Sequence, residues 1–163
     1  MPSAARRTRN APVIDIMVES PVWRDEPDAG AVIRRAIDAA AEMTDAPADR
    51  ELAIMLCDDA AMRDLNGRWR GRPEPTNVLS FPAAACTRTL GDIAIAYETT
   101  AREAHEEGTP FRDHLAHLAV HGFLHLLGYD HQSDVEAAAM ERLETTILAR
   151  LGVADPYAKH IST

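Results

Sequence analysis

The sequence predicts an α+β fold, a single domain in which a small sheet of about four strands packs on about five helices. Three observations predict this class. Short β-branched or apolar runs mark strands, apolar residues at helical spacing mark helices, and the two kinds of element do not alternate strictly. At 163 residues the chain can bury one core without disulfides. We expect the domain to span residues 12–157, between an arm at 1–11 and a tail at 158–163.

Four segments have the length and composition of strands: Val13 to Val18, Leu52 to Cys57, Thr76 to Phe81 and Gly91 to Ala96. The first is β-branched, and the second is a continuous apolar run of the kind found in buried strands. The third should stop at Pro82, because proline has no N–H to contribute to a strand ladder. The fourth alternates only weakly between apolar and polar residues.

Five segments should form helices that pack on the sheet: residues 28–43, 58–68, 100–108, 110–127 and 133–151. Apolar residues repeat at helical spacing in the first, the second and the fifth. Capping residues indicate where some of them begin. Thr100 with Glu103 makes a capping box for the third helix. Ser133 with Glu136 makes another for the fifth. Thr109 is the expected cap of the fourth helix, which is apolar almost all round and should therefore be central and buried.

Charge and cysteine content exclude several classes of protein. The formal net charge of −9 argues against broad electrostatic binding to nucleic acid. The two cysteines, Cys57 and Cys86, do not have the spacing of a zinc site or of a redox motif. We therefore expect the protein to work in the reducing cytoplasm. No apolar run reaches the length of a membrane span, and no secretory signal is visible. The arginine-bearing arm at 1–11 is expected to be disordered, with an organellar transit peptide as the alternative.

The predicted chemistry lies between His121 and His131, where three imidazoles have the spacing H-x3-H-x5-H. On a helix, His121 and His125 are one turn apart, about 6 Å along the axis, so both rings can face one point. Gly128 can adopt the left-handed conformation that ends a helix, and the returning chain would bring His131 to the same point. Three imidazole ligands with an open fourth position are typical of catalytic zinc.

Two further histidines lie on this helix face, within roughly 80° of the ligand pair on a helical wheel. The four histidines of this face cannot all bind one ion, because His117 and His125 are about 12 Å apart along the helix axis. We interpret His117 as a buried residue or a hydrogen-bonding neighbour of the ligands, and His114 as a residue nearer the surface. Asp130 could accept a ring N–H from a ligand, or could serve only to shape the turn.

Zinc bound by three imidazoles makes hydrolysis the default reaction class, since it activates water near neutral pH. The spacing H-x3-H-x2-G-x2-H is also that of the metzincin proteases, in which a glutamate follows the first histidine as general base. Here Gly122 stands at that position. A protease is therefore disfavoured, because the proton acceptor is missing.

An arginine cluster points to a different substrate. Arg63, Arg68, Arg70 and Arg72 fall within ten residues of an otherwise acidic chain. A guanidinium matches the two non-bridging oxygens of a phosphodiester and can neutralise charge that builds on them. Arg70, just before the third strand, is the best candidate for this role. A salt bridge to a carboxylate is the alternative for Arg70, and a solvated surface cluster is the alternative for the set.

Several segments together resemble the YbeY family, bacterial endoribonucleases that mature ribosomal RNA. The stretch 121–131 (HGFLHLLGYDH) is similar to the family signature. Further similar blocks occur in the family's order, at residues 65–71 (LNGRWRG), 75–82 (PTNVLSFP), 90–93 (LGDI) and 151–157. The resemblance therefore extends over most of the predicted domain.

The resemblance implies an α+β metalloprotein with one zinc ion bound by His121, His125 and His131, and it places the family's functional arginine on Arg70. It implies a single-strand-favouring endoribonuclease in ribosomal RNA processing, including the 3′ end of 16S rRNA, and in 70S ribosome quality control. The implied partners are ribosomal RNA, a small-subunit ribosomal protein and an assembly GTPase, with no membrane. The alternative class is a ribosome-assembly factor that binds its partners and uses zinc only to hold its fold.

Overall fold

The predicted α+β architecture is confirmed. The computed structural model describes residues 12–46, 49–74, 76–84, 87–130 and 132–158. The strands are β1 Val13–Val18, β2 Glu51–Cys57, β3 Val78–Pro82 and β4 Thr89–Ala96. The helices are α1 Ala29–Glu42, α2 Asp59–Arg70, α3 Tyr97–Glu107, α4 Phe111–Leu126 and α5 Asp134–Arg150. A short 3₁₀ helix, Pro21–Asp25, was not predicted. The predicted arm lies outside the described residues, as do residues 159–163 of the predicted tail.

The strands form one sheet in the order β1-β2-β4-β3. β1, β2 and β4 are parallel, and β3 runs antiparallel to β4 at the edge, with Val78 opposite Ile95. Pro82 is tolerated as the last residue of β3 because an edge strand needs partners on one side only. Side chains alternate along β3, so one of its faces points toward α4.

Helix α4 lies at the centre of the fold, against α1, α3, α5 and the strands β3 and β4. Its side chains Leu115, Val120, Phe123 and Leu124 are at most 1% exposed. Fully burying a side chain of this size contributes about 1.5–3 kcal/mol, so α4 is firmly held. Among the described residues, no helix is long and apolar enough to cross a membrane.

Two predicted helix starts are wrong. Helix α3 begins at Tyr97, directly after β4, because extended Ala96 serves as the N-cap without a loop. Thr100 therefore lies inside the helix, where its buried hydroxyl donates to the carbonyl of Ala96 at 2.6 Å. Helix α4 begins at Phe111 with Pro110 at the N-cap and no side-chain cap, so Thr109 does not have its predicted role.

The start and end of α5 agree with the sequence pattern. The amide of Glu136 donates to the hydroxyl of Ser133 at 3.1 Å, which satisfies one of the unpaired N–H groups at the helix start. Gly152 follows the end of the helix with a positive φ of 77°, a conformation that favours glycine.

Candidate metal centre and its cleft

The histidines of α4 line one cleft of about 950 Å³, which we call the histidine cleft. Its walls come from the end of α2 and the loop after it, from β3, from α3, and from the turns that follow α4 and α5. Four imidazoles lie along its α4 side, those of His114, His117, His121 and His125. This is the polar stripe that the helical wheel predicts on an otherwise apolar helix.

His121 and His125 direct the same ring atom at each other. Their Nε2 atoms are 3.1 Å apart, and the ring planes are inclined by 79°. Two Zn–N bonds of about 2.0–2.1 Å at a tetrahedral angle would place the nitrogens about 3.3–3.4 Å apart. The pair therefore fits a shared zinc ion after a shift of a few tenths of an ångström.

The third predicted ligand, His131, lies outside the described residues. Within the described part of the chain, no three His, Cys, Asp or Glu side chains are arranged so that they could hold one metal ion. Both sequence neighbours of His131, Asp130 and Gln132, line the histidine cleft. Asp130, predicted either to bond a ligand ring or to shape the turn, is half-buried there.

The turn after α4 has the geometry expected from its glycine. Gly128 has a φ of 103°, a value that side-chain-bearing residues rarely adopt. Its amide donates to the carbonyl of His125 at 3.0 Å, and the amide of Tyr129 donates to Leu124 at 3.1 Å. This pair of bonds is a Schellman motif, which reverses the chain direction at the helix end. The chain consequently returns to the histidine cleft.

Glu144, the most deeply buried acidic group of the site, was not predicted from the sequence. This residue of α5 is 0% exposed, and its Oε2 accepts a hydrogen bond from Nδ1 of His121. Its Oε1 accepts from the hydroxyl of Tyr157 and lies 3.3 Å from Nε2 of His117. A signal was present, since Glu144 is a lone carboxylate between Met140 and Ile147 on the apolar face of α5.

These contacts determine the charge of Glu144. Burial alone would raise the pKa of its carboxyl group, because an apolar surrounding disfavours the ionised form. Hydrogen bonds from His117, His121 and Tyr157 outweigh that effect and lower the pKa from 4.5 to about 2. Glu144 is therefore an ionised, buried carboxylate at neutral pH, beside the predicted ligand His121.

The interpretation of His114 as a surface neighbour is wrong. Its side chain is only 6% exposed, because α3 packs over it. Nε2 of His114 lies 2.8 Å from Oε1 of Glu103, and the same oxygen accepts from Nδ2 of Asn77 at 2.9 Å. Burial would raise the pKa of Glu103, but these hydrogen bonds outweigh it and lower the pKa. His117 contacts Glu144, the same carboxylate that hydrogen-bonds His121, so one residue links the two histidines.

Arg70 is the last residue of α2, and it lines the histidine cleft together with Arg72. Gly71 ends the helix with a φ of 70°. No described carboxylate lies within ion-pair distance of Arg70, so its alternative role in a salt bridge finds no partner there. Arg68, by contrast, pairs with Asp64 at 2.6 Å on the exposed surface.

The loop that carries Arg72 is held from α2. Asn66, 6% exposed, donates from Nδ2 to the carbonyl of Glu74 at 2.9 Å. Its own carbonyl accepts from the amide of Arg72 at 3.2 Å. These bonds fix one wall of the histidine cleft, and with it the position of the backbone after Arg70.

The position of Gly122 explains why no glutamate follows the first histidine. A Cβ atom there would lie 3.2 Å from Oγ of Ser80 and 3.3 Å from two carbons of Ile93. The position therefore faces β3 and β4 closely, and a longer side chain would meet the sheet. An acid at this position could not serve as a general base without moving α4.

Comparisons with known proteins identify the family of the chain. The family described as "Endoribonuclease YbeY" matches residues 18–152. A protein named "Endoribonuclease YbeY" from Rhodopseudomonas palustris (strain BisA53) is 59% identical over 156 residues, 90% of this chain and 91% of that protein. One of the same name from Bradyrhizobium sp. (strain BTAi1) is also 59% identical, over 90% of this chain and 93% of its own.

Among solved structures, the solution structure of TM1509 from Thermotoga maritima has a TM-score of 0.54 and 21% identity, over 86% of this chain and 92% of that one. At this identity the likeness shows the fold alone. The extent and identity of the sequence matches show more: this chain belongs to the YbeY family.

Proposed function

We propose that the protein is a zinc-dependent endoribonuclease that favours single-stranded RNA. Its proposed substrate is ribosomal RNA, at sites that include the 3′ end of 16S rRNA, and its proposed role extends to 70S ribosome quality control in the cytoplasm. Membership of the YbeY family supports RNA cleavage. The observation that carries the metal dependence is the pair of Nε2 atoms of His121 and His125, 3.1 Å apart in the histidine cleft.

His121, His125 and His131 would hold the zinc ion, and no sulfur or carboxylate ligand is proposed. When bound, zinc supplies Lewis-acid polarisation and activates water at neutral pH. The chain itself supplies a cation in the same cleft. Arg70 lines the histidine cleft without a described carboxylate partner, so its guanidinium can bind the two non-bridging oxygens of a phosphodiester.

The charge distribution limits where RNA can bind. Arg70, Arg72 and Glu74 line the histidine cleft from the end of α2 and the loop after it, whereas Glu103 and Glu107 line it from α3. With a formal net charge of −9, the protein as a whole repels a polyanion. We therefore propose that a small-subunit ribosomal protein and an assembly GTPase deliver the protein to its RNA, as the family resemblance implies.

A pair of arginine variants tests this function. Purified, zinc-loaded protein should cleave an RNA that has a stable stem and a single-stranded tail, and the cuts should fall in the tail. Arg70→Ala should keep its zinc and its fold and reduce the cleavage rate about 10²- to 10³-fold, the usual effect of losing a preorganised donor to an oxyanion. Arg70→Lys should recover only part, because an ammonium cannot bind two oxygens side by side.

The matched control is Arg68→Ala, which removes the same charge two residues away. Arg68 is exposed, pairs with Asp64 and does not line the histidine cleft, so its loss should change cleavage less than twofold. Equal losses of cleavage rate in Arg68→Ala and Arg70→Ala would mean that the positive charge of this region matters and the position of Arg70 does not. Absence of cleavage by zinc-loaded wild type, with ribosomal binding retained, would favour the alternative of an assembly factor with structural zinc.

A further inference from the structure

The carboxyl group of Glu144 is 0% exposed, so its oxygens have lost their contact with water and depend on protein donors. Burial of a polar group costs free energy unless hydrogen bonds compensate for the lost hydration. An apolar side chain would suit the surrounding face of α5, with Met140 and Ile147 on either side. The carboxylate at this position therefore acts on the site through the side chains that it contacts.

The first consequence of this carboxylate is a fixed tautomer at His121. Three side chains that can donate hydrogen bonds, those of His117, His121 and Tyr157, surround the two oxygens of Glu144, so the oxygens act as acceptors and the proton between Glu144 and Nδ1 of His121 belongs to the imidazole. A neutral His121 then carries its lone pair on Nε2, the atom that faces Nε2 of His125 at 3.1 Å. This is the tautomer that a metal ion on the Nε2 side requires.

The second consequence concerns the segment after α5. The hydroxyl of Tyr157 donates to Oε1 of Glu144. Tyr157 is held in turn by Asp155, whose Oδ1 accepts from the amide of Tyr157 at 2.9 Å and from the hydroxyl of Thr145 at 3.2 Å. The C-terminal turn thus orients the carboxylate that orients His121.

We propose that Glu144 is the positioning residue of the metal centre: held by Tyr157, it keeps His121 protonated on Nδ1 and unprotonated on Nε2, and it thereby sets the zinc affinity. The proposal rests on the proposed metal site. It assigns Glu144 no contact with RNA, and it gives the C-terminal turn a role in metal binding.

The test uses Glu144→Gln in the full chain. The glutamine amide has one acceptor oxygen and an NH₂ donor group, so it cannot accept from all of the donors around it. We expect His121 to move its proton toward Nε2, which ¹⁵N NMR of the imidazole nitrogens detects without any zinc. Zinc affinity, measured by competition with a chromophoric chelator, should fall about 10- to 100-fold.

Two further variants make the result specific. Tyr157→Phe removes one donor to Glu144 and should lower zinc affinity roughly threefold to tenfold. Glu141→Gln removes an exposed charge from the same helix and should leave both the tautomer and the zinc affinity unchanged. In RNA cleavage by zinc-saturated protein, Glu144→Gln should lower kcat and leave KM unchanged, since Glu144 does not contact the substrate.

A folded Glu144→Gln variant that keeps the His121 tautomer and binds zinc within twofold of wild type would overturn the proposal. If Glu144→Gln does not fold, Tyr157→Phe provides the test. Unchanged zinc affinity in Tyr157→Phe would then overturn the proposal. Failure of the proposed metal site looks different. Zinc affinity would then be insensitive to His125→Ala, while the tautomer change in Glu144→Gln would still support the positioning of His121.

Discussion

Replacing Gly122 by alanine should destabilise the protein, although glycine is a poor residue inside a helix. In an open site the change would stabilise α4 by about 0.8–1.0 kcal/mol through helix propensity. Here the new Cβ atom would lie 3.2–3.3 Å from Oγ of Ser80 and from two carbons of Ile93. Contacts this short require a neighbour to move by a few tenths of an ångström.

Neither neighbour can move freely. Ile93 is 1% exposed and β-branched, so its side chain has few alternative rotamers. The hydroxyl of Ser80 donates to the carbonyl of Gly122 at 3.1 Å, and a movement would break this bond. Overpacking of a tight core costs about 1–3 kcal/mol, which exceeds the gain in propensity. We expect a net loss of about 1 kcal/mol in the free energy of unfolding.

Urea unfolding followed by tryptophan fluorescence measures this change, because Trp23 is 3% exposed and reports on the core. Gly30→Ala is the matched control. Gly30 lies in α1, and a Cβ there would meet only the end of the Ile16 side chain, at 3.7 Å. That variant should be about 0.5 kcal/mol more stable than wild type. Equal stabilisation by both alanines would refute the packing argument at Gly122.

Further predictions concern the other polar groups of the histidine cleft. His114→Ala should lose about 1–3 kcal/mol of stability in urea unfolding, because Glu103 loses a buried partner, yet chelator competition should show unchanged zinc affinity. His117→Ala should lose some stability and less zinc affinity than Tyr157→Phe, because its Nε2 lies 3.3 Å from Oε1 of Glu144, a longer contact than that of the Tyr157 hydroxyl; a tenfold loss of zinc affinity would contradict this. The pKa of Glu103 is lowered from 4.5 in the fold, so Glu103 stabilises the protein above about pH 4.5, and that stabilisation is lost as the pH falls through the folded pKa. The stability difference between wild type and Glu103→Gln should therefore shrink from pH 6 to pH 3, and a constant difference would show that the carboxylate charge is irrelevant.

Local patterns were sufficient for most of the fold. β1 occupies the predicted residues Val13–Val18, and the edges of α1 and β2 differ from prediction by one residue. Hydrophobic period determines which segments become strands or helices, and it is visible in a single sequence. The start of α3 was missed because it depends on β4 running directly into a helix. No capping residue marks such a junction.

The candidate site was predictable where ligands lie close in sequence. His121, His125 and Gly128 share one helix and one turn, so spacing alone indicates their geometry. Glu144 was missed because its contact with His121 spans 23 residues and depends on how α5 packs on α4. The burial of His114 was missed for the same reason, since the covering residues belong to α3.

Zinc titration of the RNA cleavage rate tests the central claim most directly. Metal-free wild-type protein should be inactive on the tailed RNA, and its rate should rise linearly with added zinc and stop rising at one equivalent per chain. His125→Ala, which removes one of the two facing Nε2 atoms, should stay inactive over the same range. Full cleavage before zinc is added, or a His125→Ala curve that matches wild type, would contradict the assignment of this histidine pair as the centre of a zinc-dependent endoribonuclease.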